Sequence, residues 1–86
     1  MLQLNVSKLT SAGPSSLLEL RPGEQGILDR LDLPAEVSRR LMELGFLPGS
    51  PVVAARSAPG GDPCVFRVDG AEIAVRRETA ARLMLR

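Results

Sequence analysis

Histidine, tryptophan and tyrosine are absent from this chain, and cysteine and lysine occur once each, as Cys64 and Lys8. Without histidine, no Ser-His or Cys-His pair can activate a nucleophile. Zinc and ferrous sites usually recruit His or Cys, so only Cys64 and carboxylates remain as ligand candidates. One cysteine cannot form a disulfide within the chain, and a reducing compartment is the simplest setting. The only aromatics are Phe46 and Phe66. Two phenylalanines supply neither the stacking platform of a single-strand binder nor the aromatic groove of a proline-peptide binder. No phosphate-cradling G-x-x-x-x-G-K run occurs. Apolar stretches fall far short of the ~20 residues that cross a bilayer. Residues 1–16 lack the charged start and apolar block of a signal peptide. The expectation is a cytoplasmic, non-catalytic protein that requires no cofactor, does not insert in membranes and does not bind nucleic acid.

What is present is enough for one small domain: 86 residues, 44% hydrophobic, with 11 basic and 10 acidic side chains giving a net charge of +1. Balanced charge argues against a non-specific polyanion-binding surface. Aliphatic side chains must fill most of the core.

Residues 1–16 read as a loose leader, although Leu2, Leu4 and Val6 alternate and could add an edge strand. Residues 17–86 read as the folded domain. Arg21-Pro22-Gly23-Glu24 signals a turn, and residues 25–31 read as a strand. A helix is predicted over residues 34–44. Pro34 suits its start, Glu36 favours its positive end, and Val37, Leu41 and Leu44 form one apolar stripe that should face the core. Ser38, Arg39, Arg40 and Glu43 fall off the stripe. Gly45 suits a left-handed cap, with Phe46 folding back on the last turn.

Beyond the Pro48-Gly49 turn the period changes from helical to two. Val52 and Ala54 share a face. Cys64, Phe66 and Val68 alternate with Val65 and Arg67, Ile73 and Val75 with Glu72 and Ala74, and Leu83 and Leu85 with Met84 and Arg86. Ala58-Pro59-Gly60-Gly61-Asp62-Pro63 is a dense turn cluster, and Asp69-Gly70 is a strong hairpin signal. Residues 77–81 suit a short helical turn. The fold class is therefore mainly β, with five or six short strands and one inserted α-helix, favouring a small closed barrel without free edges.

The run Arg39-Arg40-Leu41-Met42-Glu43-Leu44-Gly45-Phe46-Leu47-Pro48-Gly49 resembles the signature of the ferrous iron transport protein A family, FeoA. So do Ala58-Pro59-Gly60-Gly61-Asp62-Pro63, the spacing between the two blocks, and the tail from Val75-Arg76-Arg77-Glu78 onward. The resemblance implies an SH3-like barrel and a cytoplasmic accessory role in ferrous iron uptake. The implied partner is a membrane-embedded ferrous iron transporter whose cytosolic part carries a GTP-binding domain. The surface expected to dock that partner comprises Arg39, Arg40, Met42, Glu43, Phe46, Leu47, Pro48, Gly49 and Asp62. A branched aliphatic is usual in the family where Cys64 stands here, so the cysteine reads as packing. The fold is also similar to the C-terminal domain of iron-dependent repressors. A regulatory domain of that kind is the rival reading, and it would need a separate DNA-binding chain because nothing here resembles a helix-turn-helix.

Several residues carry two readings. Arg39 and Arg40 are either a solvated face paired with Glu36 and Glu43 or a recognition fork for carboxylates and phosphates. Met42, Leu47, Val53, Val65 and Met84 fall off the expected core faces. Clustered, they would dock a partner or a second copy, leaving a homodimer open. Asp62, Asp69, Glu72 and Glu78 could collect a divalent cation weakly at the surface, with no ligand set assigned.

Overall fold

The Asp69-Gly70 turn sets the geometry of the sheet. A two-residue hairpin of the matching twist needs positive φ at both central residues, and these have φ 50° and 80°. A computed structural model describes residues 13–86. In it the turn joins β3 (Cys64–Val68) to β4 (Ala71–Val75) in an uninterrupted antiparallel register, with Phe66 opposite Ile73 and Arg67 opposite Glu72. Upstream, β1 (Gln25–Leu31) and β2 (Pro51–Ser57) flank the main helix α1 (Ala35–Glu43). Downstream, a single turn of helix α2 (Arg77–Ala80) leads to β5 (Leu83–Leu85). A single-turn 3₁₀ segment lies at Leu17–Glu19, and a tight turn with Gly60 at φ 87° spans Pro59–Gly61. The expected leader strand at Leu2, Leu4 and Val6 lies outside the described residues.

The strands form one antiparallel sheet in the order β4-β3-β2-β1-β5. The mainly β architecture with one principal helix is as expected, with five strands. Closure is not. Among the described residues β4 and β5 do not pair, so the sheet ends in two edges. The seven residues between Val75 and Leu83, which include α2, carry the chain from one edge to the other without a ladder between them. Register shifts in β1 against β5, between Leu28 and Arg30, and in β2 against β3, between Ala54 and Arg56, mark bulges. Bulges sharpen the bend of a sheet, curling this one around its core.

Both aromatics are central to that core: Phe46 and Phe66 are enclosed with Leu17, Leu28, Val52, Val68 and Leu83. The alternating faces read from the strands are the ones buried. In β3 the residues Cys64, Phe66 and Val68 point inward while Arg67 is exposed. Val52 and Ala54 do the same in β2. Cys64 is buried, its thiol donating to the Gly61 carbonyl at 3.5 Å, as a small packing residue does. Just before the core segment, the Ser15 N–H and hydroxyl both donate to the Glu19 carboxylate at 3.0 and 2.8 Å. Those bonds hold the Glu19 pKa below its ordinary value, the backbone one most strongly.

Candidate docking surface

The main helix begins with Pro34, whose carbonyl accepts the Ser38 N–H at 2.9 Å, while the Ser38 hydroxyl donates to the Leu33 carbonyl at 3.2 Å. It ends in a Schellman motif. Phe46 N–H donates to the Leu41 carbonyl at 3.1 Å and Gly45 N–H to the Met42 carbonyl at 3.0 Å, which satisfies carbonyls the helix end would leave open. Gly45 takes φ 113°, and a Cβ there would sit 3.4 Å from Asp69 Cβ. Glycine is thus required both for the left-handed backbone and for the approach of the β3–β4 turn. The chain then drops Phe46 into the core and turns at residues 47–50. Gly49 N–H donates to the Leu28 carbonyl at 2.7 Å, and Leu28 N–H to the Ser50 carbonyl at 3.0 Å. The helix and the turn after it are therefore pinned to β1 at one end of the sheet.

These anchors choose which side of the helix is buried, and the choice differs from the stripe read in the sequence. Ser38 is buried and Leu41 half-buried, whereas Val37 is 40% and Leu44 48% exposed. At 3.6 residues per turn, Ser38 lies about 100° round the axis from Val37. The pull of Ser38 on the Leu33 carbonyl and of Phe46 into the core rotates the stripe outward, leaving only Leu41 at its inner margin. Val37 and Leu44 therefore form an unpartnered apolar row, and Leu47 stands 46% exposed in the turn beyond. A shallow depression lined by Gly45, Leu47, Ser50, Pro51, Val68 and Asp69 adjoins that turn.

The sequence-predicted docking residues divide accordingly. Arg40 flanks the row and lines a shallow hollow with Glu36 and Val37. Glu43 and Glu36 lie on the same flank by helical spacing. Leu47, Pro48 and Gly49 sit at the end of the row. Arg39 and Met42 fall about 140–160° from Val37 and belong to other sides of the helix. Phe46 is fully enclosed and unavailable to a partner. Asp62 lies past the far end of β2, and a seven-residue strand at about 3.3 Å per residue separates it from Gly49 by roughly 20 Å. There its carboxylate accepts the Arg77 N–H at 3.1 Å, at the start of α2. Val37 and Leu44 are the surface residues that sequence reasoning placed in the core.

Charges on α1 are free of each other. No ion pair within 4.0 Å joins Arg39 or Arg40 to Glu36 or Glu43 among the described residues. The sheet's outer face differs. Glu72 on β4 is held by Arg56 of β2 at 2.9 Å and Arg67 of β3 at 3.0 Å. The Arg67 and Arg56 guanidinium groups keep its pKa below the usual glutamate range. The Glu72 carboxylate is thus already engaged by two cations of the chain itself. Among the described residues no three His, Cys, Asp or Glu side chains gather into a metal-holding group, and no helix is long and apolar enough to cross a membrane.

The model of the FeoA domain family matches residues 15–86. A Porphyromonas gingivalis protein described as an Fe(2+) transport protein A/Fe(2+) transporter FeoB fusion is 31% identical over 67 residues, which cover 78% of this chain. The match spans 8% of that relative's length. Among solved structures, the FeoA protein of Chlorobium tepidum superimposes with a TM-score of 0.77 at 31% identity, covering 81% of this chain and 67% of that one. FeoA of Stenotrophomonas maltophilia, described as a prokaryotic SH3 domain protein and solved in complex with zinc, gives a TM-score of 0.72 at 31% identity, covering 85% and 91%.

Proposed function

The chain belongs to the FeoA family, and from that premise we propose that it is a non-enzymatic cytoplasmic accessory protein of ferrous iron uptake. It docks on the cytosolic, GTP-binding part of a membrane-embedded ferrous iron transporter and shifts that transporter between states. The observation that carries this reading is the outward apolar row of α1 with Arg40 beside it. A nine-residue helix that leaves Val37 and Leu44 in water has an apolar side free for another protein. The fusion of transport protein A to FeoB in the Porphyromonas gingivalis relative supports the choice of partner. Fusion holds two domains at a high effective concentration, so contact between them need not be strong by itself.

Docking of this kind acts by differential affinity: a ligand moves an equilibrium only as far as it prefers one state over the other. The test is binding of the purified protein to the solubilised transporter, comparing Arg40→Glu with Arg39→Glu. Reversal at Arg40 should weaken binding about tenfold or more, equivalent to ~1.4 kcal/mol. Reversal at Arg39, on another side of the helix, should change it much less. Equal effects would assign the contact to the general charge of the helix and not to the apolar row.

A further inference from the structure

The two edges of the sheet are finished differently. On β5 the chain covers its own edge: Ser16 bridges Met84, and the Leu85 N–H donates to the Ser15 carbonyl at 3.0 Å. On β4 nothing among the described residues pairs with the outer side. Edge strands are ordinarily guarded by charge, lysine above all, by proline or by a bulge. The sequence Ala71-Glu72-Ile73-Ala74-Val75 has no lysine or proline, its one charge is held by Arg56 and Arg67, and its register with β3 runs without a shift.

The hairpin fixes which backbone groups face outward. A two-residue turn makes Val68 and Ala71 a hydrogen-bonded pair, and such pairs alternate along an antiparallel ladder. Ala71, Ile73 and Val75 therefore bond to β3, while the N–H and C=O of Glu72 and Ala74 point away from the sheet. From this parity we infer that β4 is the interface for a second copy of the chain. The two β4 strands pair antiparallel about a twofold axis at Ile73, joining two five-stranded sheets into one.

Parity restricts the axis to a residue, and complete pairing then favours Ile73: with the axis at Ala74 the Glu72 N–H would meet the Arg76 carbonyl, which already accepts the Thr79 and Ala80 N–H groups. With the axis at Ile73, Glu72 of each copy lies opposite Ala74 of the other. Those are the residues whose backbone faces outward, so four N–H···O bonds form. Ile73, only half-buried in one copy, meets Ile73 of the other in the closer, non-hydrogen-bonded type of pair. The Glu72 carboxylate remains with Arg56 and Arg67 and faces an alanine. Arg76 comes beside the Asp69-Gly70 turn of the second copy, opposite charge near opposite charge. Shifting the axis to Glu72 would set two carboxylates directly across from each other, a destabilising pair. The contact is short, so association is weak and reversible.

Sedimentation equilibrium of the full chain over a wide concentration range tests this. Dimer should form as concentration rises. Ala74→Pro should weaken it about tenfold or more, because the substitution removes an outward donor and leaves the β3 ladder intact. Mild oxidation provides a second readout that does not depend on the fold tolerating proline. Ile73→Cys should link two chains through a disulfide, and Glu72→Cys, two residues out of register with its own copy, should not. A monomer at every concentration would overturn the proposal and leave the edge to solvent or to a different chain. A dimer unmoved by Ala74→Pro and not linked through residue 73 would also overturn it, placing the contact elsewhere, such as the apolar row of α1.

Discussion

The chain carries two apolar stripes of comparable regularity, one on β3 and one on α1, and the fold treats them oppositely. Cys64, Phe66 and Val68 on β3 are all buried, with Phe66 at 2% exposure, while Val37 and Leu44 on α1 remain in water. Period identifies which residues share a side of an element. It does not say what that side meets. A central strand is hydrogen-bonded to a neighbour on each side, so its orientation is imposed by the sheet. The helix is attached through its two ends, at Leu33–Ser38 and at Gly45–Ser50, and those attachments set its rotation. A stripe on a strand is thus dictated by the core, and a stripe on a peripheral helix is free to serve another molecule.

This contrast can be broken most forcefully by truncating one member of each stripe. Phe66→Ala should cost about 3–5 kcal/mol, as removal of an enclosed aromatic does. Leu44→Ala should fall within about 0.5 kcal/mol of the parent, as expected for a surface position. Chemical denaturation of both variants measures the difference, and a Leu44 cost approaching that of Phe66 would show that the helix row is core after all. Gly45→Ala comes next. It forces a Cβ into left-handed backbone beside Asp69, at a cost of about 1–2 kcal/mol. Because Gly45 joins the helix to the β3–β4 turn, this loss should be larger than that of any single substitution in the exposed row.

Much of this fold is legible in the residues themselves. Asp69-Gly70 names its own turn because few residue pairs accept positive φ twice in succession. Gly45 followed by Phe46 marks a helix end with an apolar return, and the alternation in β2, β3 and β5 predicts the buried faces. Three features were not legible, each for a physical reason. The rotation of α1 depends on the Ser38 hydroxyl finding the Leu33 carbonyl, a contact that periodicity does not encode. The open sheet depends on where α2 delivers β5, and strand count alone cannot distinguish an open array from a closed one. The employment of Asp62 and Glu72 depends on partners 15 residues away in one case and across two strands in the other. Of the expected docking surface, Arg40 and residues 47–49 gather at the exposed row, whereas Arg39, Met42 and Asp62 are distributed elsewhere and Phe46 is buried.

The smallest expected effect concerns charge on the sheet. Arg67 and Arg56 lower the Glu72 pKa in the folded state, so the ion cluster stabilises the fold above the ordinary glutamate pKa of about 4.3. That stability is lost as pH falls through the folded value. Since Glu72 is solvent-accessible, its share is slight. Glu72→Gln should lower the neutral plateau of a stability-against-pH curve slightly, leave stability below the folded pKa unchanged, and so flatten the acid limb between them. The exposed row of α1 contains no titratable group, so its truncation should shift the whole curve uniformly.

The claim that most needs testing is that the apolar row of α1 is the contact with the transporter. Amide hydrogen exchange of the protein bound to the detergent-solubilised ferrous iron transporter, with and without guanine nucleotide, measures it directly. Docking through this row gives saturable binding that depends on nucleotide, with new protection concentrated in residues 35–50. Absence of binding in every nucleotide state, or protection confined to the sheet while the helix exchanges as in the free protein, would contradict it.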